Sequence, residues 1–206
     1  MKKHLLRTAA AVAAVFWALA LTGCFQKKIS GAAHYDKSYY IRQYGGDLDS
    51  NLSVFPDAAE ESRILRFESE MGEGLFDTDG YILLEYRSDE AQLAAEEARL
   101  KAISFTIKNH DGQTFTNRVL YDESAYPYPA YITNDGFGST YEYALIDRDG
   151  GRIIYVYAAY VMPDSFPYEK YLKTDRSAYK ADSFQAFTVY NHTFDGGQSW
   201  TEFDDG

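Results

Sequence analysis

The chain has 206 residues, with 31 Asp and Glu against 20 Lys and Arg, a formal charge of −11 and one cysteine. That balance excludes a nucleic-acid binder, which needs a basic patch, and one cysteine excludes an intramolecular disulfide framework. With 46% hydrophobic residues, the chain can bury one sizeable core but not two.

Lys2, Lys3 and Arg7 give a positive start, Thr8 to Leu21 is an unbroken run of apolar or small residues, and Leu21-Thr22-Gly23-Cys24 closes it. A spanning helix would need about 20 apolar residues, whereas this run stops short and turns polar at Gln26-Lys27-Lys28. The pattern resembles a bacterial lipobox, which follows a cleavable signal peptide. The resemblance implies a signal peptide over residues 1–23 and a diacylglyceryl thioether on Cys24. It places the mature protein on the extracytoplasmic face of the cell membrane, lipid-anchored. Two acyl chains, at ~0.8 kcal/mol per buried CH₂, hold a protein stably where one does not. Removal of residues 1–23 leaves 17 basic side chains against 31 acidic ones, a charge of −14. Anionic headgroups do not attract such a surface, so the lipid does the anchoring.

Residues 24–38 are polar and without periodicity, and read as a flexible tether that would reach up to roughly 45 Å when extended. Aromatic density rises from Tyr39, where a single domain over 39–206 is expected to start. Arg63–Met71 and Tyr81–Arg87 are extended runs around a turn at Asp77-Thr78-Asp79-Gly80. Asp89 to Ala102 lacks Gly and Pro and consists of strong helix formers. Asp89 and Gln92 have capping-box spacing. An alanine stripe (Ala91, Ala95, Ala98, Ala102) stands nearly opposite Leu93 and Leu100, which predicts a helix covered on two sides.

Ser104–His110 and Gln113–Tyr121 alternate around Asp111-Gly112, a strong hairpin signal because the turn needs positive φ. Tyr126-Pro127-Tyr128-Pro129 belongs to an edge or loop, since Pro has no N–H for a ladder. Tyr141–Asp147 and Arg152–Val161 flank Arg148-Asp149-Gly150-Gly151 as a further hairpin. Ile153 to Tyr157 is apolar on both faces, which predicts a central strand. A short helix is expected over Phe166–Lys173 and a last strand from Ser183 to Tyr190. The fold class that follows is α+β, mainly antiparallel sheet from successive hairpins with one main helix at about 89–102.

Thr193-Phe194-Asp195-Gly196-Gly197-Gln198-Ser199-Trp200 matches, position for position, the Asp box of sialidases and other β-rich proteins. The resemblance implies a structural hairpin turn built by Thr193, Asp195, Gly197, Ser199 and Trp200. The Asp accepts turn amides, Gly supplies positive φ and Trp packs beneath. It does not imply sialidase activity, because the motif occurs once and that family's Arg-Ile-Pro motif is missing.

Asp47-Leu48-Asp49-Ser50-Asn51 starts like a calcium loop, but Leu52 and Ala58 stand where an EF-hand needs Gly and Glu. Asp77/Asp79 and Asp147/Asp149 form Asp-any-Asp pairs like those of nucleotide-sugar transferases, yet both fall in expected turns. His34, His110 and His192 have no zinc spacing. Gly136-Phe137-Gly138-Ser139-Thr140 lacks the Lys of a phosphate loop, and no nucleophile elbow is present. No cofactor, metal or catalytic residue is therefore expected.

The surplus of tyrosines, 19 in all, leaves Tyr39-Tyr40, Tyr126, Tyr128, Tyr131 and Tyr168-Tyr171 as candidate exposed rings. Tyr126, Tyr128 and Tyr131 in particular could stack on a glycan or peptide. The leading functional expectation is a non-catalytic binding or interaction module at the cell envelope. Its partners would be the membrane, through the lipid, and an envelope protein, peptide or glycan. A hydrolase with dispersed catalytic residues and a purely structural lipoprotein are the alternatives. The mature sequence is also similar in style to lipoproteins of low-GC Gram-positive bacteria, which implies no activity.

Overall fold

The computed structural model describes residues 26–44, 52–73, 78–108, 114–123, 126–135, 140–159 and 168–171. Cys24, the Asp47–Asn51 loop, residues 136–139, the Ser183–Tyr190 strand and the Asp box at 193–200 lie outside them, as do His110 and His192.

Among the described residues, β1 (Lys27–Ser30), β2 (Ile64–Glu73), β3 (Thr78–Arg87), β6 (Leu120–Asp122), β7 (Ala130–Asp135), β8 (Thr140–Asp147) and β9 (Arg152–Ala159) form one antiparallel sheet. Its order is β1-β2-β3-β9-β8-β7-β6. A separate hairpin joins β4 (Ser104–Lys108) to β5 (Thr114–Arg118). The helices are α1 (Lys37–Tyr44), α2 (Glu90–Ala102) and the short α3 (Tyr168–Tyr171). The described architecture is α+β, dominated by antiparallel sheet.

The β8–β9 hairpin closes as its turn residues require. Asp147 pairs with Arg152 across the end, and Gly151 takes φ +60°, the left-handed region open to glycine. β9 lies in the middle of the sheet, with three strands on each side. Its continuous apolar run follows from that position, because both of its faces are buried.

Side-chain alternation splits the core in two. On one face Ile82, Leu84, Ala144, Ile146, Ile153, Tyr155 and Tyr157 pack against Tyr40 and Tyr44 of α1, Leu93 and Leu100 of α2, and Leu52, Val54 and Phe55. On the other face Tyr81, Leu83, Tyr141, Tyr143, Leu145, Ile154 and Val156 meet Tyr126 and Tyr171.

Three expectations need correction. Part of the presumed tether is sheet: Lys27–Ser30 pair with Glu68–Met71 of β2. Further on, Asp36 accepts the Tyr39 N–H at the start of α1. Four residues without a hydrophobic pattern have little strand preference of their own, and β1 exists because β2 offers an open ladder. The β2–β3 turn comes earlier than Asp77–Gly80. Glu73 already pairs with Thr78, and Asp79 and Gly80 lie inside β3 opposite Gly72 and Met71.

Helix α2, finally, is covered on one side. Leu93 and Leu100, one heptad apart, are buried, while Ala91, Ala94, Ala95, Ala98 and Ala102 are exposed. An alanine methyl offers little area, so two leucines decide the orientation. The capping box is present, with the Gln92 N–H donating to Asp89 at 2.9 Å and the Gln92 side chain accepting the Asp89 N–H at 3.0 Å. Asp89→Ala should cost about 1 kcal/mol, measured as a lowered urea midpoint with unchanged slope.

Candidate functional site

The most unusual local chemistry surrounds Glu142 on β8, where it faces the helix-covered side of the sheet and is 1% exposed. Three features meet there. First, the β7–β8 register shifts between Ile132 and Asn134, so Thr133 is an extra residue. Such a bulge re-aims its side chain, and the Thr133 hydroxyl donates to the Glu142 carbonyl oxygen at 3.2 Å. Second, Leu52 adopts φ +50°. A bulky side chain rarely tolerates this region, at a cost on the order of 1–3 kcal/mol. Third, the segment that starts at Leu52 is an irregular loop buried as deeply as a strand, with Leu52, Val54 and Phe55 inside the core.

A buried loop must have its backbone polar groups satisfied by something other than water. Here side chains do so. The Val54 N–H donates to the Glu142 carboxylate Oε1 at 2.8 Å. Arg99 of α2 donates to the Ser53 and Val54 carbonyls, Lys37 of α1 donates to the Phe55 carbonyl at 2.9 Å, and Tyr35 donates to the Pro56 carbonyl. Arg99 is itself held by Glu96, which also accepts the Tyr155 hydroxyl at 2.8 Å. The loop is thus lashed to the sheet, α1 and α2 by three side chains and one carboxylate.

Burial pushes the Glu142 carboxyl up from 4.5 to about 7. Hydrogen bonds from the Val54 N–H, Thr133 and the Ser53 N–H, and the positive charge of Lys37, pull the other way. A general base must come within hydrogen-bond reach of its substrate. This carboxylate is sealed under the loop, so the arrangement fastens a loop with a group that titrates near neutrality.

A second polar cluster lies on the opposite face. Arg152 donates to Glu85 at 2.7 Å, to Asp147 at 2.8 Å and to the Tyr128 hydroxyl at 3.3 Å. Arg66 donates to Glu68 at 2.9 Å and to the Tyr171 hydroxyl at 3.3 Å, and Tyr171 donates to Glu85 at 3.2 Å. The neighbouring carboxylates raise the pKa of both arginines, led by the Glu68 bond for Arg66 and the Asp147 bond for Arg152. These charges satisfy one another. Removal of a partner from such a pair leaves a charge stranded, so Glu85→Gln should lower stability by about 2 kcal/mol, read from chemical unfolding at pH 7.

The candidate ligand-stacking rings are placed differently from expectation. Tyr126 is 0% exposed and Tyr131 1% exposed, both within the core, and Tyr128 is half-buried beside Arg152. Tyr40 and Tyr171 are buried as well. Tyrosine fills a wide two-faced sheet as readily as it covers a surface. Tyr126 and Tyr131 therefore offer no open platform. Among the described tyrosines, Tyr121 is open, at 55% exposure, and its ring meets Tyr131 at a tilt with centroids 5.3 Å apart. Sequence alone did not distinguish it from its buried neighbours.

Of the Asp-any-Asp pairs, Asp147 ends β8 and accepts the Gly150 N–H of the following turn at 2.8 Å. Asp79 sits in β3, where it accepts the Gln26 side chain at 3.1 Å. Among the described residues no group of three or more His, Cys, Asp or Glu side chains is arranged to hold a metal ion. No described helix is long and apolar enough to cross a membrane. No protein-family model, no curated protein and no solved structure matches this chain.

Proposed function

We propose that this is a lipid-anchored extracytoplasmic protein that acts as a non-catalytic binding or interaction module at the cell envelope. The observation that carries the reading is the signal sequence ending in Leu21-Thr22-Gly23-Cys24. Its positive start, its apolar run too short to span a bilayer and its terminal cysteine agree. The use of the polar groups supports the non-catalytic part. Glu142 is spent on fastening a loop, and Glu85, Asp147, Arg66 and Arg152 are spent on one another.

The test is a pull-down from the protein's own membranes with the intact lipoprotein as bait and Cys24→Ala as comparison. A stoichiometric protein, peptide or glycan retained by the lipidated form supports the proposal. Turnover of an envelope polymer by the purified protein would contradict it and favour the hydrolase.

A further inference from the structure

The spacing between Cys24 and the first strand has a geometric consequence. β1 begins at Lys27, so three Cα–Cα steps separate it from Cys24. Whatever their conformation, these span at most about 11 Å. Lys27 pairs with Met71 near the end of β2, and Gly72 and Glu73 continue opposite Asp79 and Thr78 of β3. Ala159 pairs with both Gly80 and Thr140, which carries the same end of the sheet across β9 to β8. At the other end stand Arg87, the Asp147–Arg152 turn and the start of α2. Ten residues of β3 at about 3.3 Å each put the two ends about 30 Å apart.

From this we infer that the anchored protein holds the Lys27–Met71–Asp79 end of its sheet against the membrane. The opposite end, with the 147–152 turn and the α2 N-terminus, is the end held further from the bilayer. The inference rests on lipidation of Cys24, as proposed above. The short span sets this whichever way the sheet leans, since Lys27 stays within about 11 Å of the lipidated cysteine while the far end averages further from the bilayer. A 15-residue tether would have erased this preference, and the sheet pairing of Lys27–Ser30 removes that slack.

The experiment uses the full lipidated protein in phosphatidylglycerol–phosphatidylethanolamine vesicles that carry a headgroup energy acceptor. A thioether-blocked Cys24 leaves a new cysteine free for a maleimide donor, so Asp79→Cys and Asp149→Cys are labelled separately. Flotation with the vesicles is scored first. The expected result is flotation of both, with at least twofold greater energy transfer from position 79 than from 149. A twelve-residue Gly-Ser insertion between Phe25 and Gln26 should shrink that difference while the thermal unfolding curve stays in place. Flotation with equal transfer, or with greater transfer from 149, overturns the orientation and leaves anchoring standing. Failure to float overturns the anchoring and this inference together.

Discussion

Between pH 4.5 and pH 8, Glu142→Gln is expected to gain about 3 kcal/mol of stability relative to the parent protein. The Glu142 carboxyl rises from 4.5 to about 7 on folding, so the folded state holds the proton more tightly than the unfolded chain. Where the folded state binds more protons, stability falls as pH rises. The favourable contribution is complete below pH 4.5, is lost progressively up to about pH 7, and stays lost above it. Glutamine keeps a carbonyl acceptor for the Val54 N–H and has no charge to bury. The two proteins should therefore unfold alike at pH 4.5 and diverge towards pH 8, as measured by urea unfolding at several pH values. A parallel shift at every pH would mean that Glu142 is not buried as a titrating group. Glu142→Ala should behave differently: it strands the Val54 N–H and opens a cavity, for a loss of about 3–5 kcal/mol at pH 4.5 that shrinks towards pH 8 as the parent loses its own contribution from Glu142.

Gly80→Ala is expected to be among the most damaging single-methyl changes in this chain. Gly80 takes φ +139°, and a Cβ there would lie 2.0 Å from the Glu70 carbonyl oxygen and 2.8 Å from the Met71 Cα. Both are backbone atoms of the adjacent strand, so β2 and β3 would have to separate. Strain and lost pairing together should cost about 4 kcal/mol, or roughly 10 °C in melting temperature for a chain of this size. Gly31→Ala is the control. Gly31 also has positive φ, at +102°, but its nearest contact for a Cβ is 3.6 Å away on a side chain. That change should cost only about 1 kcal/mol of backbone strain. Equal melting of the two variants would contradict the close approach at Gly80.

Much of this sheet was legible in the sequence. Asp-Gly turns locate hairpins because so few residues accept positive φ, and 147–152 behaves accordingly. Helix α2 could be read because composition, cap and length agreed over residues 89–102. The central place of β9 followed from an apolar run with no polar face. The errors share a cause, namely tertiary context that outweighs local pattern. Lys27–Ser30 carries no strand signal and is extended because β2 had an unpaired edge. The alanine stripe of α2 outnumbers its leucines but offers less area to bury. Tyr126 and Tyr131 sit beside Pro and turn residues, yet the sheet is wide enough to take their rings inside.

The Glu142 site was hidden for a stronger reason. Tyr141-Glu142-Tyr143 reads as an ordinary alternation with its polar residue outward. Nothing local shows that a loop some 90 residues earlier covers that face and donates its N–H to the carboxylate. The one available hint is the mismatch of a charged residue in a strand whose next two positions on that face, Ala144 and Ile146, are apolar.

Anchoring of this fold to the membrane through Cys24 can be read from mass spectrometry of the N-terminal peptide in the membrane fraction. Cys24 is expected as residue one, carrying a diacylglyceryl thioether. The Cys24→Ala protein should keep residues 1–23 or appear without lipid in the soluble fraction. An unmodified Cys24 in membrane-bound protein, or identical mass and partitioning of the two forms, would contradict it.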